Sequence, residues 1–239
     1  MRNMLNVHSE WRADVAAALA ALDSEYMEFL KKGGYIPKPE SVFSAFKTLP
    51  KSELKYILFG QDPYPRAESA TGHAFIDGAV KNIFSSNGLD KRVNRATSLR
   101  NFIKMALVAS NLLDGNDLSQ EAISRVDKSS LIETIDELRS NFESNGVLLL
   151  NAALVFEDKR LSSYHAKAWR PFLRTILLRI EGNVELILFG NIAKDIAKIP
   201  EAARFKKIEI EHPYNHSFVL NERAHNLFGT MKLLFKYYE

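Results

Sequence analysis

Short apolar segments that favour β-strands alternate along the chain with segments of amphipathic helical period. The apolar runs predict strands at residues 55–60, 147–151, 184–190 and 207–211. The helical patterns predict helices at residues 98–113, 130–142, 169–180, 192–198 and 224–237. A further apolar stripe near the N-terminus predicts one helix that Ser9 caps and that Gly33 and Gly34 end.

Strands that alternate with helices indicate a parallel sheet. We therefore predict the α/β fold class, with a central four-stranded parallel twisted sheet flanked by helices on both faces. No linker, internal repeat or low-complexity tract interrupts the chain, so we expect one domain over residues 1–239. Residues 77–97 are rich in Asn, Gly, Lys and Arg, which predicts a surface loop with solvated charges.

The composition is ordinary for a soluble globular protein, with 46% hydrophobic and 26% charged residues. A net charge of +3 permits an anionic partner such as nucleic acid without requiring one. The absence of cysteine excludes disulfides, thiolate zinc sites and cysteine nucleophiles. Since the chain also lacks a run of ~18 apolar residues and a signal-peptide pattern, we expect a cytoplasmic protein that does not enter a membrane.

Polar residues follow the predicted strands, at the points where each strand ends. They are Gln61 and Asp62, Asn151, Asn191 after Gly190, and His212. Because the carboxyl ends of parallel strands share one edge of a sheet, we expect these side chains to converge in one crevice. Taken singly, Asn151 could cap a turn and His212 could be an ordinary histidine before a proline, but together they indicate an active site.

Other kinds of site fit the sequence poorly. There is no glycine-rich phosphate loop and no GxSxG nucleophile motif, and none of the six histidines forms a convincing pair of metal ligands. We therefore expect neither a metal ion nor an organic cofactor.

The segment GQDPYP, residues 60–65, directly follows the first predicted strand. Pro63 and Pro65 fix the backbone on either side of Tyr64 and so hold its ring in one place. A proline-rich turn that begins at Asp62 is the simpler alternative, although a rigid aromatic beside a carboxylate is more typical of a site.

This segment resembles the water-activating GQDPYH motif of family 1 uracil-DNA glycosylases. The resemblance extends in collinear order over residues 11–234. Its further parts are the proline-rich lead-in at 35–43, the Gly-x-x-Phe segment at 72–75, LLLNA at 148–152, the strand end at 188–191, and His212-Pro213, where typical members have HPSPLS. The chain is thus similar to a divergent phage, viral or bacterial member, and residues 113–128 look like an insertion.

The resemblance implies hydrolysis of the N-glycosidic bond of deoxyuridine in single- or double-stranded DNA. The nucleotide would be flipped out of the helix, uracil released and an abasic site left for base-excision repair. Asp62 would activate the water and stabilise the cationic sugar, while a neutral His212 would donate a hydrogen bond to the uracil oxyanion. No metal or cofactor is implied.

The resemblance also implies a uracil pocket. Asn151 would read the edge of the base, and Gln61 would help to position it. Tyr64 would occupy the space that a thymine methyl group needs. Phe75 would stack on the face of uracil, with an ordinary core phenylalanine as its alternative.

DNA contacts are implied for a wider set, in which several positions depart from the family pattern. The set is Pro65, Ser98, Asn191, Tyr214, His216, Ser217 and Phe218. Pro65 replaces the usual histidine, and Asn191 and Tyr214 stand where serine is usual. His216 takes the place of the wedge leucine, with Phe218 as the apolar alternative.

The sequence is also compatible with two other functions. One is a weakly active or non-catalytic DNA-binding module of a replication complex on the same fold, and the other is a glycosylase for a different damaged base. We expect a monomer whose partner is uracil-containing DNA. The departures in the loop leave its sensitivity to a uracil-mimicking protein inhibitor open.

Overall fold

The computed structural model describes residues 6–236, which form two compact units. The first unit runs to Asp77 and resumes over Gly146–Glu209, and the second consists of Gly78–Asn145 and the residues from Ile210 onward. The strands are β1 Tyr56–Gly60, β2 Phe84–Ser85, β3 Gly88–Leu89, β4 Val147–Asn151, β5 Glu185–Phe189 and β6 Lys206–Ile210. The helices are α1 Arg12–Ala20, α2 Ser24–Lys32, α3 Lys91–Arg95, α4 Thr97–Ala109, α5 Gln120–Arg125, α6 Ile135–Ser144, α7 Ser162–Arg179, α8 Ile192–Ile196 and α9 Glu222–Met231.

The first unit is built on a four-stranded sheet of order β4-β1-β5-β6. β1 pairs in parallel with both of its neighbours, and Gly60 lies opposite Asn151 at the end of the β1–β4 ladder. All five residues of the edge strand β4 are buried, as expected where both faces of a parallel sheet are covered. The predicted fold class is confirmed, and each predicted strand lies within one residue of the observed one. The extent of a single domain over residues 1–239 stays a prediction.

The N-terminal helix prediction is wrong in two respects, because two helices replace the single one and Ser9 does not cap the first of them. The chain turns between α1 and α2, where the Asp23 side chain accepts hydrogen bonds from the backbone N–H groups of Glu25 and Tyr26 at 2.9 and 3.3 Å. This side chain caps the N-terminus of α2, and such a cap stabilises a helix start by about 1 kcal/mol.

Helix α7 starts at Ser162, seven residues before the predicted start at 169. Pro171 lies inside the helix, and Trp169 and Phe172 are fully buried. The early part was missed because it combines exposed polar residues with few buried ones. One residue of this part, Ser162, belongs to the candidate site described below.

The second unit has an aromatic core. Phe102 of α4 stacks on Phe218 with ring centroids 6.2 Å apart and meets Phe228 of α9 edge-on at 5.0 Å. The predicted loop at 77–97 is wrong in part, because it contains β2, β3 and α3 and buries Ile83 and Val93 completely.

The remaining helix boundaries differ from the predictions for local reasons. Helix α6 starts at Ile135 rather than at 130, because Thr134 and Glu137 form a capping box. Helix α4 ends at Ala109 and α8 at Ile196, each shorter than predicted. Helix α9 ends at Met231, before Lys232 takes a left-handed conformation, and the predicted end at 237 lies outside the described residues. The predicted insertion at 113–128 carries the short helix α5.

Within residues 6–236, no helix combines the length and the apolar character that crossing a bilayer takes.

Candidate active site

The ends of β1 and β4 meet in unusually close contact. A Cβ atom at Gly60 would overlap the Oδ1 atom of Asn151 and would lie 2.9 Å from the Cβ of Ala74. The two strand ends are held together beyond the ladder, since Ala152 N–H donates to the Gly60 carbonyl and Ala153 N–H to the Gln61 carbonyl, both at 2.9 Å. Glycine is therefore required at position 60 by the Asn151 side chain.

Asn151 is a buried amide that the fold does not use. The residue is only 3% exposed, yet its side chain makes no hydrogen bond to another residue in the described part of the chain. The polar atoms of this amide are not fully enclosed, so they remain accessible from solvent. Since the amide offers both a donor and an acceptor, it is suited to bind a ligand that presents the complementary pair.

Asp62 lies at the start of helix α7. Its Oδ2 atom accepts a hydrogen bond of 2.7 Å from the Oγ of Ser162, the first residue of this 18-residue helix. The N-terminus of a helix carries a partial positive charge, which favours a carboxylate beside it. The half-buried Asp62 is thus oriented by a hydroxyl that lies 100 residues further along the sequence.

One turn further along α7, the fully buried His165 fixes the start of the helix. Its Nδ1 lies 2.7 Å from the Tyr26 hydroxyl and its Nε2 lies 3.1 Å from a Glu157 carboxylate oxygen. Burial lowers the pKa of the His165 imidazole, while the negative charges of Glu157 and Asp62 oppose that shift. A neutral ring satisfies both contacts if Tyr26 donates to Nδ1 and Nε2–H donates to Glu157. Both ring nitrogens are occupied, so His165 supports α7 and leaves Asp62 as the candidate base.

Tyr64 and Phe75 are linked to each other. The Tyr64 hydroxyl donates a hydrogen bond of 3.3 Å to the Phe75 carbonyl. Burial and, to a smaller extent, the Asp77 carboxylate raise the pKa of the Tyr64 phenol, which therefore stays protonated. Phe75 has a positive φ of 69°, an uncommon conformation for this residue type that tends to occur at functional sites. Its ring contacts that of Phe189, the last residue of β5, with centroids 6.2 Å apart.

In the second unit, the backbone selects one tautomer of His212. The Nδ1 atom accepts a 3.0 Å hydrogen bond from the Tyr214 N–H. Partial desolvation lowers the pKa of the exposed His212 imidazole below its ordinary value, which favours the neutral form. With Nδ1 as acceptor, the single proton resides on Nε2. His212 therefore presents a neutral Nε2–H donor.

Helix α4 holds the loop that follows His212. The buried Asn101 amide nitrogen contacts the carbonyls of Pro213, Tyr214 and Asn215 at 2.8, 3.4 and 3.2 Å. This clamp leaves the Tyr214 side chain 67% exposed. His216, two residues on, is also exposed.

Two predicted DNA contacts in this loop do not fit the structure. Phe218 is fully buried in the aromatic core, so its side chain is not available as a wedge. The Ser217 hydroxyl donates a 2.5 Å hydrogen bond to Glu211, and this bond lowers the pKa of the Glu211 carboxyl. A hydroxyl that already donates to a carboxylate is poorly placed to donate to a phosphate.

The other predicted site residues lie at element ends. Gln61 and Pro65 are exposed on either side of Asp62 and Tyr64, and Asn191 is exposed directly before α8. Ser98 is the second residue of α4, one turn before Asn101. In the first unit, the structure brings together Gln61, Asp62, Tyr64, Phe75 and Asn151 around the β1 and β4 ends. Ser98 and the loop from His212 belong to the second unit.

Sequence reasoning missed two residues that position this machinery, Ser162 and Asn101. Ser162 belongs to the part of α7 that the helix prediction left out, and Asn101 was taken only as part of a helix. The sequence feature that could have pointed to Asn101 is an amide side chain on the apolar face of helix α4. No local pattern pairs Ser162 with Asp62.

The first unit thus offers an oriented carboxylate and an unpaired amide, and the second a neutral imidazole donor. The carboxylate and the amide of the first unit suit acid–base hydrolysis of a substrate whose planar ring is read by its edge. Within residues 6–236, no group of three or more His, Asp or Glu side chains is placed to hold a metal ion.

Comparison with known proteins identifies the class to which these features belong. Residues 46–232 match the model of the uracil DNA glycosylase superfamily, and the chain belongs to that superfamily.

Solved structures and curated relatives agree with this membership. The chain is 51% identical to the wild-type UNG of Nitratifractor salsuginis, whose crystal structure it matches with a TM-score of 0.96 over 99% of this chain and 95% of that one. It is 28% identical to the uracil-DNA glycosylase of Borrelia hermsii over 83% of this chain and 74% of the relative. The mimivirus uracil-DNA glycosylase, at 19% identity and a TM-score of 0.56 over 89% of this chain and 71% of that one, shares the fold.

The close approach at Gly60 gives a direct test of the Asn151 position. We expect Gly60→Ala to displace the Asn151 amide, because overpacking of this kind costs about 1–3 kcal/mol and the side chain can yield more easily than the ladder. Uracil release from an oligonucleotide should fall by about 10-fold or more. The measurement is a single-turnover rate together with the melting temperature.

Gly229→Ala is the matched control, since its added Cβ in α9 would come no nearer than 3.4 Å to another residue. It should leave the rate unchanged and should not lower the melting temperature, since alanine is the better helix former. Full activity in a folded Gly60→Ala variant would show that the Asn151 position is not critical.

Proposed function

We propose that the protein is a uracil-DNA glycosylase that hydrolyses the N-glycosidic bond of deoxyuridine in DNA and leaves an abasic site for base-excision repair. The observation that carries this proposal is the buried Asn151 amide with no hydrogen-bond partner among the described residues, next to the Asp62 carboxylate segment. Membership in the superfamily supports it independently.

Base recognition follows from the groups around Asn151. Uracil presents an N–H donor beside a carbonyl acceptor, and one amide can pair with both. Cytosine presents the reverse pattern at its amino edge and would leave the amide unpaired, which gives strong discrimination. The Tyr64 ring, held through its hydroxyl to the Phe75 carbonyl, blocks a methyl group at C5 of the base. Phe75 offers its ring face for stacking.

Bond cleavage places positive charge on the sugar and negative charge on uracil. Asp62, oriented by Ser162, accepts the proton of the attacking water and stabilises the cationic sugar. The C1′–N1 bond breaks with its electron pair leaving on uracil, and the water oxygen bonds to C1′. His212 donates from Nε2–H to the oxygen of the departing uracil anion, and its neutral form avoids full proton transfer.

The direct test is incubation of the purified protein with a labelled oligonucleotide that contains one uracil, followed by alkali and gel electrophoresis. Strand cleavage at the uracil position, absent from a thymine control, is the expected result. Binding to the same oligonucleotide without cleavage would instead favour a non-catalytic DNA-binding module.

The loop after His212 allows a prediction about base flipping. We expect His216 to fill the space left by the flipped nucleotide, so that His216→Ala lowers the ratio of duplex to single-strand rates by about tenfold. That factor equals about 1.4 kcal/mol of the few kcal/mol that unstacking a base step costs. His216→Leu should restore the ratio, because leucine supplies apolar volume. The rates are measured on matched duplex and single-stranded substrates.

Two further variants of the loop complete this experiment. Phe218→Ala should lower stability by about 3–5 kcal/mol, as expected for a buried aromatic, and affect both substrates alike. Tyr214 is the alternative wedge, since its aromatic side chain is 67% exposed. An unchanged ratio for both His216 variants with a reduced one for Tyr214→Ala would assign the wedge to Tyr214.

We further propose that the protein is a monomer in the cytoplasm, and its sensitivity to a protein inhibitor can be measured. Variants of the mimivirus UNG have been crystallised in complex with UGI. Asn191 and Tyr214 alter the surface that such an inhibitor would copy from DNA, and titration of activity with UGI measures the consequence.

A further inference from the structure

A groove in the first unit borders the candidate site and is lined by positive charges. It has a volume of about 430 Å³ and is lined by residues of α7 and α8, together with Gln61 and Ala152 next to the strand ends. Its cationic side chains are Lys159, Lys167, Arg170 and Lys198, and its one carboxylate is Asp195.

Three of these cations have no acidic partner. Lys198 pairs with Asp195 at 2.7 Å, whereas Lys159, Lys167 and Arg170 form no salt bridge or side-chain hydrogen bond with any residue in 6–236. Other arginines of the same helix are paired, since Arg174 binds Glu201 at 2.7 Å and Arg179 binds Asp14 at 3.3 Å. The helix therefore uses acidic partners elsewhere and leaves its charge unbalanced only along the groove.

The helical period explains why these charges share one side of α7. Ser163, Lys167 and Arg170 stand at positions i, i+4 and i+7, which lie on one face of a helix. Lys159 precedes the helix by one turn and lines the same groove. Three unpaired positive charges on one side add up to a positive electrostatic potential in the groove, which favours binding of an anion.

The groove connects with the base-reading residues through Gln61 and Ser162. Gln61 lines it and is the neighbour of Asp62, and Ser162, the hydrogen-bond donor to Asp62, lines it as well. A flipped nucleotide stays attached to its strand on both sides, so the strand must leave the site along the surface next to these residues.

We propose that the groove lined by Lys159, Lys167 and Arg170 binds the phosphodiester backbone of the substrate strand beside the flipped nucleotide. This inference rests on the proposed function. It replaces part of the phosphate binding that Ser217, whose hydroxyl donates to Glu211, is poorly placed to provide. It also assigns sequence-independent affinity to α7.

Salt dependence tests the proposal, because each neutralised phosphate contributes about −0.9 to the slope of log affinity against log salt for duplex DNA and about −0.7 for single strands. We expect Lys159→Gln, Lys167→Gln and Arg170→Gln each to flatten that slope by just under one. Each should also raise KM for a uracil oligonucleotide by about 3- to 10-fold at low salt with kcat unchanged. The triple variant should lose about two to three units of slope.

The controls separate binding of phosphate from general charge effects. Lys31→Gln removes the same charge from an exposed pair on α2 that does not line the groove, and it should keep the slope of the parent protein. Lys167→Arg should keep the slope because the charge remains. Melting temperatures verify that the triple variant is folded.

The position of the contact is tested with substrates shortened stepwise from either end. Removing the phosphate that the groove binds should raise KM for the parent protein but not for Lys167→Gln or Arg170→Gln. A folded triple variant with the parent slope and KM would overturn the proposal, even if uracil release is intact. Absence of uracil release by the parent protein would instead overturn the proposed function.

Discussion

Replacing Asp62 with asparagine should reduce single-turnover uracil release by about 10²–10⁴-fold, the range for loss of a positioned general base. Asparagine keeps the shape of the side chain but neither accepts a proton from water at neutral pH nor carries the negative charge that stabilises the sugar cation. Binding of a uracil oligonucleotide should survive. The measurement is the rate at saturating enzyme, with the dissociation constant determined separately.

The control for this result is Glu68→Gln, which removes an exposed carboxylate six residues away. Its rate should equal that of the parent protein. A rate near the parent value in Asp62→Asn would show that another group activates the water.

Variants of Ser162 test whether its hydroxyl acts through Asp62. If its 2.7 Å hydrogen bond orients Asp62, Ser162→Ala should lower kcat by about 10-fold, in line with a hydrogen bond to a charged group, and leave KM unchanged. Ser162→Thr should restore the rate because it keeps a hydroxyl. In the Asp62→Asn background the loss of the hydroxyl should have no further effect, whereas an additive loss would assign Ser162 a role independent of Asp62.

The sequence allowed the sheet to be predicted almost completely. The runs at β1, β4 and β5 are apolar without alternation, which is the pattern of strands buried on both faces of a parallel sheet. Their ends are marked by polar residues, so Asp62 and Asn151 could be singled out before any contact was known. The predicted family membership is confirmed as well.

The parts that could not be predicted depend on tertiary packing. The first two turns of α7 were missed because one side of them carries Ser163 and Lys167, two exposed polar residues. Since the Ser162–Asp62 hydrogen bond joins residues 100 positions apart, only the packing of α7 beside β1 determines it.

In the loop after β6, tertiary packing makes two residues unavailable that were predicted to contact DNA. The family resemblance placed Ser217 and Phe218 among the DNA contacts, but the Ser217 hydroxyl donates to Glu211 and the Phe218 ring packs in the aromatic core. Neither competitor is visible in a linear motif. The roles of the remaining site residues stay predictions, which substitutions can test.

Exchanging the base-reading residues should change the substrate. Asn151→Asp replaces the amide donor with a carboxylate that only accepts, so it should lower uracil release by about 10²-fold or more and introduce release of cytosine, whose amino group donates. Asn191→Asp makes the same change in an exposed residue at the end of β5 and should keep uracil specificity. The measurement is cleavage of single-stranded oligonucleotides that contain uracil, cytosine or thymine at one position.

Tyr64→Ala should open the space for a C5-methyl group and allow thymine to be released, a change that no loss of stability can mimic. Tyr64→Phe is the matched control, because it removes only the hydroxyl that donates to the Phe75 carbonyl at 3.3 Å and keeps the ring that excludes the methyl group. One extra methyl is worth about 1–3 kcal/mol in an adaptable pocket, so rejection of thymine by the parent protein beyond about 200-fold requires a rigid wall. We expect Tyr64→Phe to reject thymine as the parent protein does and Tyr64→Ala to release it from single strands. If neither Tyr64→Ala nor Asn151→Asp releases a base other than uracil, although both are folded and bind DNA, then these two side chains do not form the walls of the base pocket.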